Sequence, residues 1–192
     1  MALENASMSE TSLSETRLSE TRSSETPKYS MRGATPEDEA FLFKLYASTR
    51  AEELELAGFP VEQRESFCEM QFKARQAHYQ NHFGHADDAI ILLDGEPIGR
   101  ELITRDPDGI SLTDIALLPE YCGRGIGTQR LLALIREGAA KQLPLFLFVD
   151  QNSRAEQLYF RHGFESVEDH FPHRYMRLRP LAMNAACVSE VG

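Results

Sequence analysis

Three glycines alternate with other residues in the segment Gly123-Arg124-Gly125-Ile126-Gly127, and Thr128 follows. An apolar run typical of a strand precedes the segment, and a run with helical periodicity follows it. Glycine lets the backbone turn sharply and approach a ligand without interference from a Cβ atom. The helix adds free N–H groups and the positive end of its dipole, which favour an anion. The segment therefore predicts a pyrophosphate site, and a strand-to-helix turn without a ligand is the alternative.

The spacing of these glycines differs from two common nucleotide-binding motifs. A dinucleotide fingerprint, G-x-G-x-x-G, would require glycine where Thr128 stands. The P-loop pattern, G-x-x-x-x-G-K-[ST], does not occur in the chain. Any phosphate bound here would therefore be held in another way.

A second informative segment runs from Asn152 to Phe164 and reads NSRAEQLYFRHGF. Ser153 and Glu156 form a capping box that predicts the start of a helix, and Gly163 lies at the expected C′ position after it. Tyr159 therefore lies on a short helix, at a fixed distance from the strand before it. On the residues alone, Tyr159 could equally be a core aromatic with its hydroxyl at the surface, and Asn152 a turn residue.

Asp114 is the one acidic residue in the apolar run from Leu112 to Leu118. An ionised carboxylate buried in a strand needs a partner, which makes this position unusual. The alternative is an exposed residue on the outer face of the strand, because a bulge would change which face each side chain occupies.

The surrounding sequence predicts the strands and helices that position these residues. Thr35-Pro36-Glu37-Asp38 supplies a cap, a proline at the first helical position and early acids. Asp94-Gly95 predicts a hairpin turn. Strands are predicted over 29–34, 89–93, 97–105, 110–118, 143–149, 165–169 and 174–179, and helices over 36–53, 61–81, 127–141 and from 153 to Gly163.

This order of elements implies an α/β (α+β) protein with a mixed sheet and helices on both faces. In the second helix, the spacing of Phe67, Met70, Ala74 and Ala77 predicts a buried stripe. In the helix after the glycines, Leu131, Leu134, Ile135 and Ala139 predict an apolar face.

The predicted domain spans residues 29–179. From Ser9 onward the triplet Ser-Glu-Thr restarts every five residues, a period that matches neither helix nor strand, so residues 1–28 are expected to be a disordered tail. Residues 180–192 are small and polar enough to predict a flexible tail.

Composition restricts the classes of partner and the compartment. The net charge is -10 and the pI is about 5.1, which argues against nucleic acid or an anionic membrane as a partner. The three cysteines lie far apart without CxxC spacing, and no stretch is long and apolar enough for a membrane span. We expect a cytoplasmic protein. His78 and His82 share a helical face, but no further ligand completes a zinc site, so no metal is predicted.

Together the two segments resemble the core motifs of the GNAT N-acetyltransferase superfamily. Asn152, Ala155, Leu158, Tyr159, Gly163 and Phe164 match the family pattern N-x-x-A-x-x-L-Y-x-x-x-G-F without a gap, and Leu118-Pro-Glu-Tyr121 before the glycines resembles the family's first motif. The resemblance implies the GNAT fold. That fold has a mixed, mostly antiparallel sheet of about seven strands, in which a splayed parallel pair binds CoA.

The resemblance also implies roles for particular residues. Tyr159 would be the general acid that protonates the leaving thiolate, and Asp114 the base or amine ligand. The cosubstrate would be acetyl-CoA. Its pyrophosphate would lie against Gly123, Arg124, Gly125, Ile126, Gly127 and Thr128, its pantetheine arm against Ile115, Ala116 and Leu117, and Asn152 would also contact it.

One residue departs from the family pattern, because Cys122 stands where the family usually has Arg or Gln. A tolerated small residue is one interpretation. The other is a redox-sensitive thiol whose pKa is lowered by the helix N-terminus.

The resemblance implies an N-acetyltransferase that moves an acetyl group directly to a primary amine, carried by a small molecule or a peptide. It leaves a homodimer open and does not identify the acceptor. The alternative function is a non-catalytic acetyl-CoA or acyl-CoA sensor, or the subunit of a partner enzyme.

Overall fold

The computed structural model describes residues 28–180, which form seven strands and four α-helices. The strands are β1 (Tyr29–Gly33), β2 (Asp87–Leu93), β3 (Glu96–Asp106), β4 (Gly109–Leu117), β5 (Leu145–Asp150), β6 (Glu165–His170) and β7 (His173–Leu178). The helices are α1 (Glu39–Leu56), α2 (Val61–Phe83), α3 (Ile126–Lys141) and α4 (Arg154–Arg161), and short 3-10 turns cover Pro36–Asp38 and Pro119–Tyr121.

All seven strands belong to one sheet, in the order β1-β2-β3-β4-β5-β7-β6. Neighbouring strands are antiparallel except for β4 and β5, which are parallel. The predicted mixed, mostly antiparallel sheet with one parallel pair is therefore confirmed, and the crossover between the parallel strands contains α3.

Local sequence signals account for where the elements begin and turn. Asp38 accepts hydrogen bonds from the Thr35 N–H at 2.9 Å and from its hydroxyl at 3.2 Å, just ahead of α1. A guanidinium fork from Arg32 completes this corner and lowers the pKa of the Asp38 carboxyl. Asp94 and Gly95 both have positive φ at the turn between β2 and β3, as the hairpin signature predicts.

Helices α1 and α2 cover one face of the sheet, and α3 covers the other. Two adjacent residues of β2 show this. Ile90 packs into the core beneath α1 and α2 with Leu42, Tyr46 and Phe72, whereas Ile91 packs against Ile126 of α3. The largest core cluster lies on the α3 and α4 face and includes Leu131 and Leu134, as the sequence predicts.

The stripe predicted for α2 is confirmed at Phe67, which packs against the core beneath α1 and α2, and is wrong at the other three positions. Met70 is exposed and so are Ala74 and Ala77, while the buried residues of the helix are Cys68 and Phe72. The sheet-facing row continues from Phe72 through the half-buried Arg75 and Tyr79. A search for apolar residues misses this row because its C-terminal half is polar and faces a charged partner on the sheet.

The predicted tails, with the Ser-Glu-Thr repeats and Cys187, lie outside the described residues, apart from Lys28 and Pro180. Within residues 28–180, no helix combines the length and the apolar composition that crossing a membrane requires.

Candidate active site

The parallel strands β4 and β5 separate before they end. Their ladder covers three residue pairs, of which Leu112 with Leu147 is the last. Beyond this pair, β4 continues to Leu117 beside β3, and β5 continues to Asp150 beside β7. The edge of β4 from residue 113 onward therefore faces β5 without a ladder, with backbone groups free to pair with a ligand.

A cleft of about 380 Å³ opens where the strands separate. It is lined by Leu112, Thr113, Asp114, Ile115, Phe148, Val149, Asp150, Ser153, Ala155, Tyr159 and His173. The tyrosine and the aspartate that the sequence singled out thus face one space.

A β-bulge in β4 determines the direction of Asp114. Leu102 of β3 pairs with Asp114, and the next residue, Ile103, pairs with Leu112, so Thr113 is the extra residue. Ile110 and Leu112 belong to the core on the α3 and α4 face. Continued alternation would place Asp114 on that face too, but the bulge moves it to the face of α1 and α2.

Asp114 has a side chain 17% exposed and an ion-pair partner on α2. Arg75 donates from Nη2 to Asp114 Oδ2, and Arg100 Nη1 lies 3.9 Å from the same oxygen. Burial raises the pKa of the Asp114 carboxyl, and the two arginines oppose that rise. Among residues 28–180, no hydrogen-bond donor contacts Oδ1, so this oxygen remains available to a ligand.

The arginines beside Asp114 are held by aromatic rings and a second carboxylate. The Arg75 guanidinium lies 5.3 Å from the ring centre of Tyr46 and 5.1 Å from that of Tyr79, within cation–π range. Arg75 Nε also donates to the Tyr79 hydroxyl at 3.0 Å. Arg100 is buried and donates two hydrogen bonds to Asp88, at 2.8 and 2.7 Å. These contacts fix the positions of both arginines beside Asp114.

Tyr159 lies on α4, where the predicted Ser153 cap is formed and Glu156 accepts from the residue before the cap. The Glu156 N–H donates to Ser153 Oγ at 3.1 Å, and the Glu156 carboxylate accepts from the Asn152 N–H at 2.8 Å. Arg174 of β7 donates to the same carboxylate at 2.7 Å and ties the helix to the sheet. The cap and the ion pair thereby fix the N-terminal end of α4, the helix that carries Tyr159.

The Tyr159 side chain is almost entirely buried, at 6% exposure, and packs on Phe164 with ring centres 5.5 Å apart. Burial, with a further contribution from the Asp114 charge, raises its pKa to about 12. Its hydroxyl is therefore protonated at neutral pH. Within residues 28–180 this hydroxyl makes no hydrogen bond and is not among the fully buried unpaired polar atoms, and Tyr159 lines the cleft.

The glycine segment forms the predicted turn before α3. Gly123 and Gly125 have φ values of 74° and 82°, a conformation that favours glycine, and Gly125 is the N-cap of the helix. The first turn of α3 contains no acidic residue and no side-chain cap. The N–H groups of Ile126, Gly127 and Thr128 are thus free by helix geometry, and the dipole favours an anion beside them.

A buried ion pair anchors α3 to the sheet. Arg130 donates from Nε and Nη2 to the Glu101 carboxylate of β3, at 3.0 and 2.6 Å, and Glu101 is 2% exposed. Ile126 is fully buried among Ile91 and Ile98. The turn at Gly123–Gly125 is therefore followed by a helix that is fixed to the sheet.

Asn152 and Cys122 adopt positions that their local structure explains. Asn152 has a φ of 64° in the turn between β5 and α4, a conformation that asparagine tolerates well. Cys122 Sγ lies 3.7 and 3.6 Å from the carbonyl oxygens of Leu117 and Leu118. Partial desolvation and Glu120 raise the pKa of this exposed thiol, the opposite direction from the one that the redox interpretation requires.

The histidines of α2 turn towards each other. The rings of His78 and His82 stack with centres 4.3 Å apart, and His82 Nδ1 lies 3.0 Å from the carbonyl oxygen of His78. Over the described part of the chain, no three His, Cys, Asp or Glu side chains are placed to hold a metal ion.

The sequence over residues 43–164 matches the model of the Acetyltransferase (GNAT) family. This chain belongs to the GNAT family. The match contains the splayed strands, the glycine turn and the tyrosine helix. The protein is accordingly an acyltransferase, and acetyl-CoA is its cosubstrate. No curated protein sequence matches the chain significantly.

Solved structures with low sequence identity share the fold. The PaiA N-acetyltransferase from Thermoplasma acidophilum, solved in complex with coenzyme A, is 19% identical with a TM-score of 0.60 over 79% of this chain and 99% of that chain. An acetyltransferase from Thermus thermophilus is 18% identical, with a TM-score of 0.57 over 80% and 98%. The ribosomal-protein-S18-alanine N-acetyltransferase from Escherichia coli is 19% identical, with a TM-score of 0.56 over 82% and 98%.

The residues of this GNAT protein fit acetyl-CoA on structural grounds. The free N–H groups at the start of α3 suit a pyrophosphate. The edge of β4 that makes no backbone pairs with β5 suits the amide groups of a pantetheine arm. The cleft at Tyr159 lies between the two separated strands, where an arm that follows β4 leads.

Sequence reasoning did not find Arg75, Arg100 or Phe148. Arg75 lies three residues after Phe72 and therefore on the same helical face, which was the available signal. Phe148 alternates with the buried Leu147 and Val149, so a period of two places it on the other face of β5. Its exposure, however, depends on which part of that face the helices cover.

Proposed function

We propose that this GNAT protein transfers the acetyl group of acetyl-CoA directly to a primary amine, with Tyr159 as the general acid and Asp114 as the base. The observation that carries the proposal is the cleft between β4 and β5, because a protonated, unpartnered tyrosine and a carboxylate with one free oxygen line it together. The names of two structural neighbours print N-acetyltransferase, and of these two only the enzyme for ribosomal-protein-S18-alanine names an acceptor.

The proposed binding mode places each end of acetyl-CoA on a different element. The segment from Gly123 to Thr128, which includes Arg124 and Ile126, would hold the pyrophosphate through its N–H groups. Ile115, Ala116 and Leu117 would offer the backbone edge of β4 to the arm. Asn152 would contact the cosubstrate from the turn after β5. Acetyl-CoA supplies the reactive thioester.

The chain's own residues would then move two protons. The amine must be neutral to attack a carbonyl carbon, and Asp114 Oδ1 would accept its proton. As the C–N bond forms and the C–S bond breaks, Tyr159 would donate its hydroxyl proton to the leaving sulfur. The Tyr159 pKa of about 12 keeps that proton in place until a strong acceptor develops beside it.

A binding assay and a turnover assay together test this proposal. Saturation with acetyl-CoA should raise apparent stability, by about 2.7 kcal/mol at 100 times Kd, which a thermal shift measures. Thiol release on a panel of peptides, polyamines, aminoglycosides and amino acids should then show turnover. Tyr159→Phe should lose about 100-fold in kcat and keep the thermal shift, because the ring remains and only the proton donor is removed.

Ser66→Ala is the control, since it removes an exposed hydroxyl near the start of α2 that donates to the Gln63 carbonyl oxygen at 3.2 Å and does not line the cleft. It should keep both the thermal shift and kcat. Binding of acetyl-CoA without turnover on the whole panel would contradict the enzyme and favour the non-catalytic sensor. A normal kcat in Tyr159→Phe would remove the proposed acid.

A further inference from the structure

The sheet face that carries Asp114 also carries a row of stacked aromatic rings. Phe148 of β5 and Tyr175 of β7 are cross-strand partners whose ring centres are 4.7 Å apart at an interplanar angle of 27°. Phe146 stacks on the same tyrosine at 5.9 Å and 11°. His170 of β6 lies 6.3 Å from Phe148. We call Phe146, Phe148 and Tyr175 the aromatic stack.

The aromatic stack is on the face of α1 and α2. Leu145, Leu147 and Val149 belong to the core on the α3 and α4 face, so the alternating Phe146 and Phe148 point the other way. Helix α1 packs over β3 and β4 rather than over the stack. Phe148 remains 63% exposed, which is high for a phenylalanine with a ring stacked on it.

The free side of Phe148 faces the cleft. Strand β5 lies between β7 and β4 in the sheet, and Tyr175 of β7 occupies one side of the Phe148 ring. The other side points towards β4, which has already separated from β5 beyond Leu112 and Leu147. Phe148 accordingly lines the same cleft as Asp114 and Tyr159. A further ring stacked on Phe148 would therefore lie at the mouth of the cleft.

We propose that the acceptor is an arylalkylamine, whose planar ring adds a layer to the stack against Phe148 while its amine reaches Asp114. Aromatic rings favour such offset stacks over contacts with saturated groups of equal size. One small molecule can contact both residues, because Phe148 and Asp114 line one cleft. The net charge of -10 favours the approach of a cationic amine. This inference rests on the proposed acetyl transfer and names its substrate class.

Matched amines test the inference by thiol release from acetyl-CoA. For the wild type, kcat/KM with 2-phenylethylamine should exceed kcat/KM with 2-cyclohexylethylamine by about tenfold, the scale of one aromatic stack. In Phe148→Leu the ratio should fall to about one, through a raised KM for the aromatic amine, since leucine keeps an apolar contact without a ring face. Phe160→Leu is the matched control, because Phe160 is an exposed phenylalanine of α4 that does not line the cleft. It should keep the wild-type ratio.

Four results would overturn the inference, and all but the third leave the proposed function intact. Turnover of aliphatic amines with a wild-type ratio near one, or an unchanged ratio in Phe148→Leu, would refute the aromatic acceptor and leave acetyl transfer intact. No turnover of any amine by a protein that binds acetyl-CoA would refute both. Light scattering measures whether a second copy of the chain binds the aromatic stack instead. A wild-type dimer that Phe148→Leu converts to monomer would assign the stack to that second copy.

Discussion

At the scale of single residues, the candidate site combines a tyrosine that holds its proton with a carboxylate that is ion-paired through one oxygen. The Tyr159 hydroxyl keeps its proton because burial raises its pKa to about 12. Asp114 is paired with Arg75 through one oxygen only, so it can remain charged and still accept a proton through the other. The pair is therefore suited to take a proton from one partner and give a proton to the other.

The sequence identifies both residues but not what surrounds them. Tyr159 follows from the gapless pattern of its helix, and the unusual position of Asp114 indicates that it needs a partner. The partner, Arg75, lies 39 positions earlier in the chain, and nothing local connects the two. Such a contact depends on how α2 crosses the sheet, which the pattern of one helix does not determine.

Asp114→Asn should remove the acid limb of the pH profile of kcat. Burial raises the pKa of Asp114, so in the wild type kcat should fall as pH drops through that raised value, where the carboxyl gains a proton and can no longer accept one. The variant should lose about 100-fold or more in kcat and show no such limb. Steady-state kinetics from acid to neutral pH measure both.

Asp88→Asn is the control for this prediction. It removes a carboxylate from the same arginine group, since Asp88 binds Arg100, but it does not line the cleft. This variant should keep the acid limb. If Asp114→Asn retains the limb as well, Asp114 is not the base.

At the scale of elements, the start of α3 is the best predicted part of the site. The alternating glycines predict a sharp turn, and Gly123 and Gly125 have the positive φ values that such a turn requires. The boundaries of most strands and helices differ from the predictions by a few residues. The prediction of an apolar stripe on α2 is largely wrong, because the residues of α2 that face the sheet there are polar and lie at the candidate site rather than in the core.

The bulge at Thr113 is an element-scale feature that the sequence leaves undetermined. Period-two alternation along β4 is equally compatible with a regular strand, which would place Asp114 beneath α3 and α4. One inserted residue moves it to the opposite face, beside Arg75 and the aromatic stack. The direction of the proposed base therefore depends on strand pairing and not on local residue types.

Gly127→Ala should weaken acetyl-CoA binding without weakening the fold. A Cβ atom at Gly127 would meet no atom within 4 Å, and alanine favours a helix over glycine by up to about 1 kcal/mol. The added methyl group would, however, lie among the N–H groups proposed to approach the pyrophosphate. We expect the Kd for acetyl-CoA, measured by calorimetry, to rise about tenfold and the melting temperature to stay level or increase.

Gly33→Ala is the matched control, since a Cβ atom there also meets nothing within 4 Å and the residue ends β1. It should bind acetyl-CoA like the wild type. An unchanged Kd in Gly127→Ala would place the pyrophosphate elsewhere.

At the scale of the whole molecule, one sheet brings the two sides of the proposed reaction together. The α3 and α4 face carries the glycine turn and Tyr159, and the α1 and α2 face carries Asp114, its arginines and the aromatic stack. The gap between β4 and β5 connects these faces. A cosubstrate and an acceptor could accordingly approach from opposite sides of the sheet.

The overall order of strands and helices follows from the sequence because each element carries a strong local signal, such as Asp94-Gly95 or the capping box at Ser153. The proposed acceptor side of the site does not follow from the sequence, because it is built from isolated residues of four different elements. Arg75, Arg100, Asp114 and Phe148 come from α2, β3, β4 and β5.

The most direct test of acetyl transfer is mass spectrometry of the products after incubation with acetyl-CoA and the amine panel. The account predicts a monoacetylated amine and an equal amount of free CoA, formed in proportion to the concentration of active protein. If acetyl-CoA saturates the protein and no amine on the panel, aromatic amines included, gains an acetyl group, the central claim is contradicted.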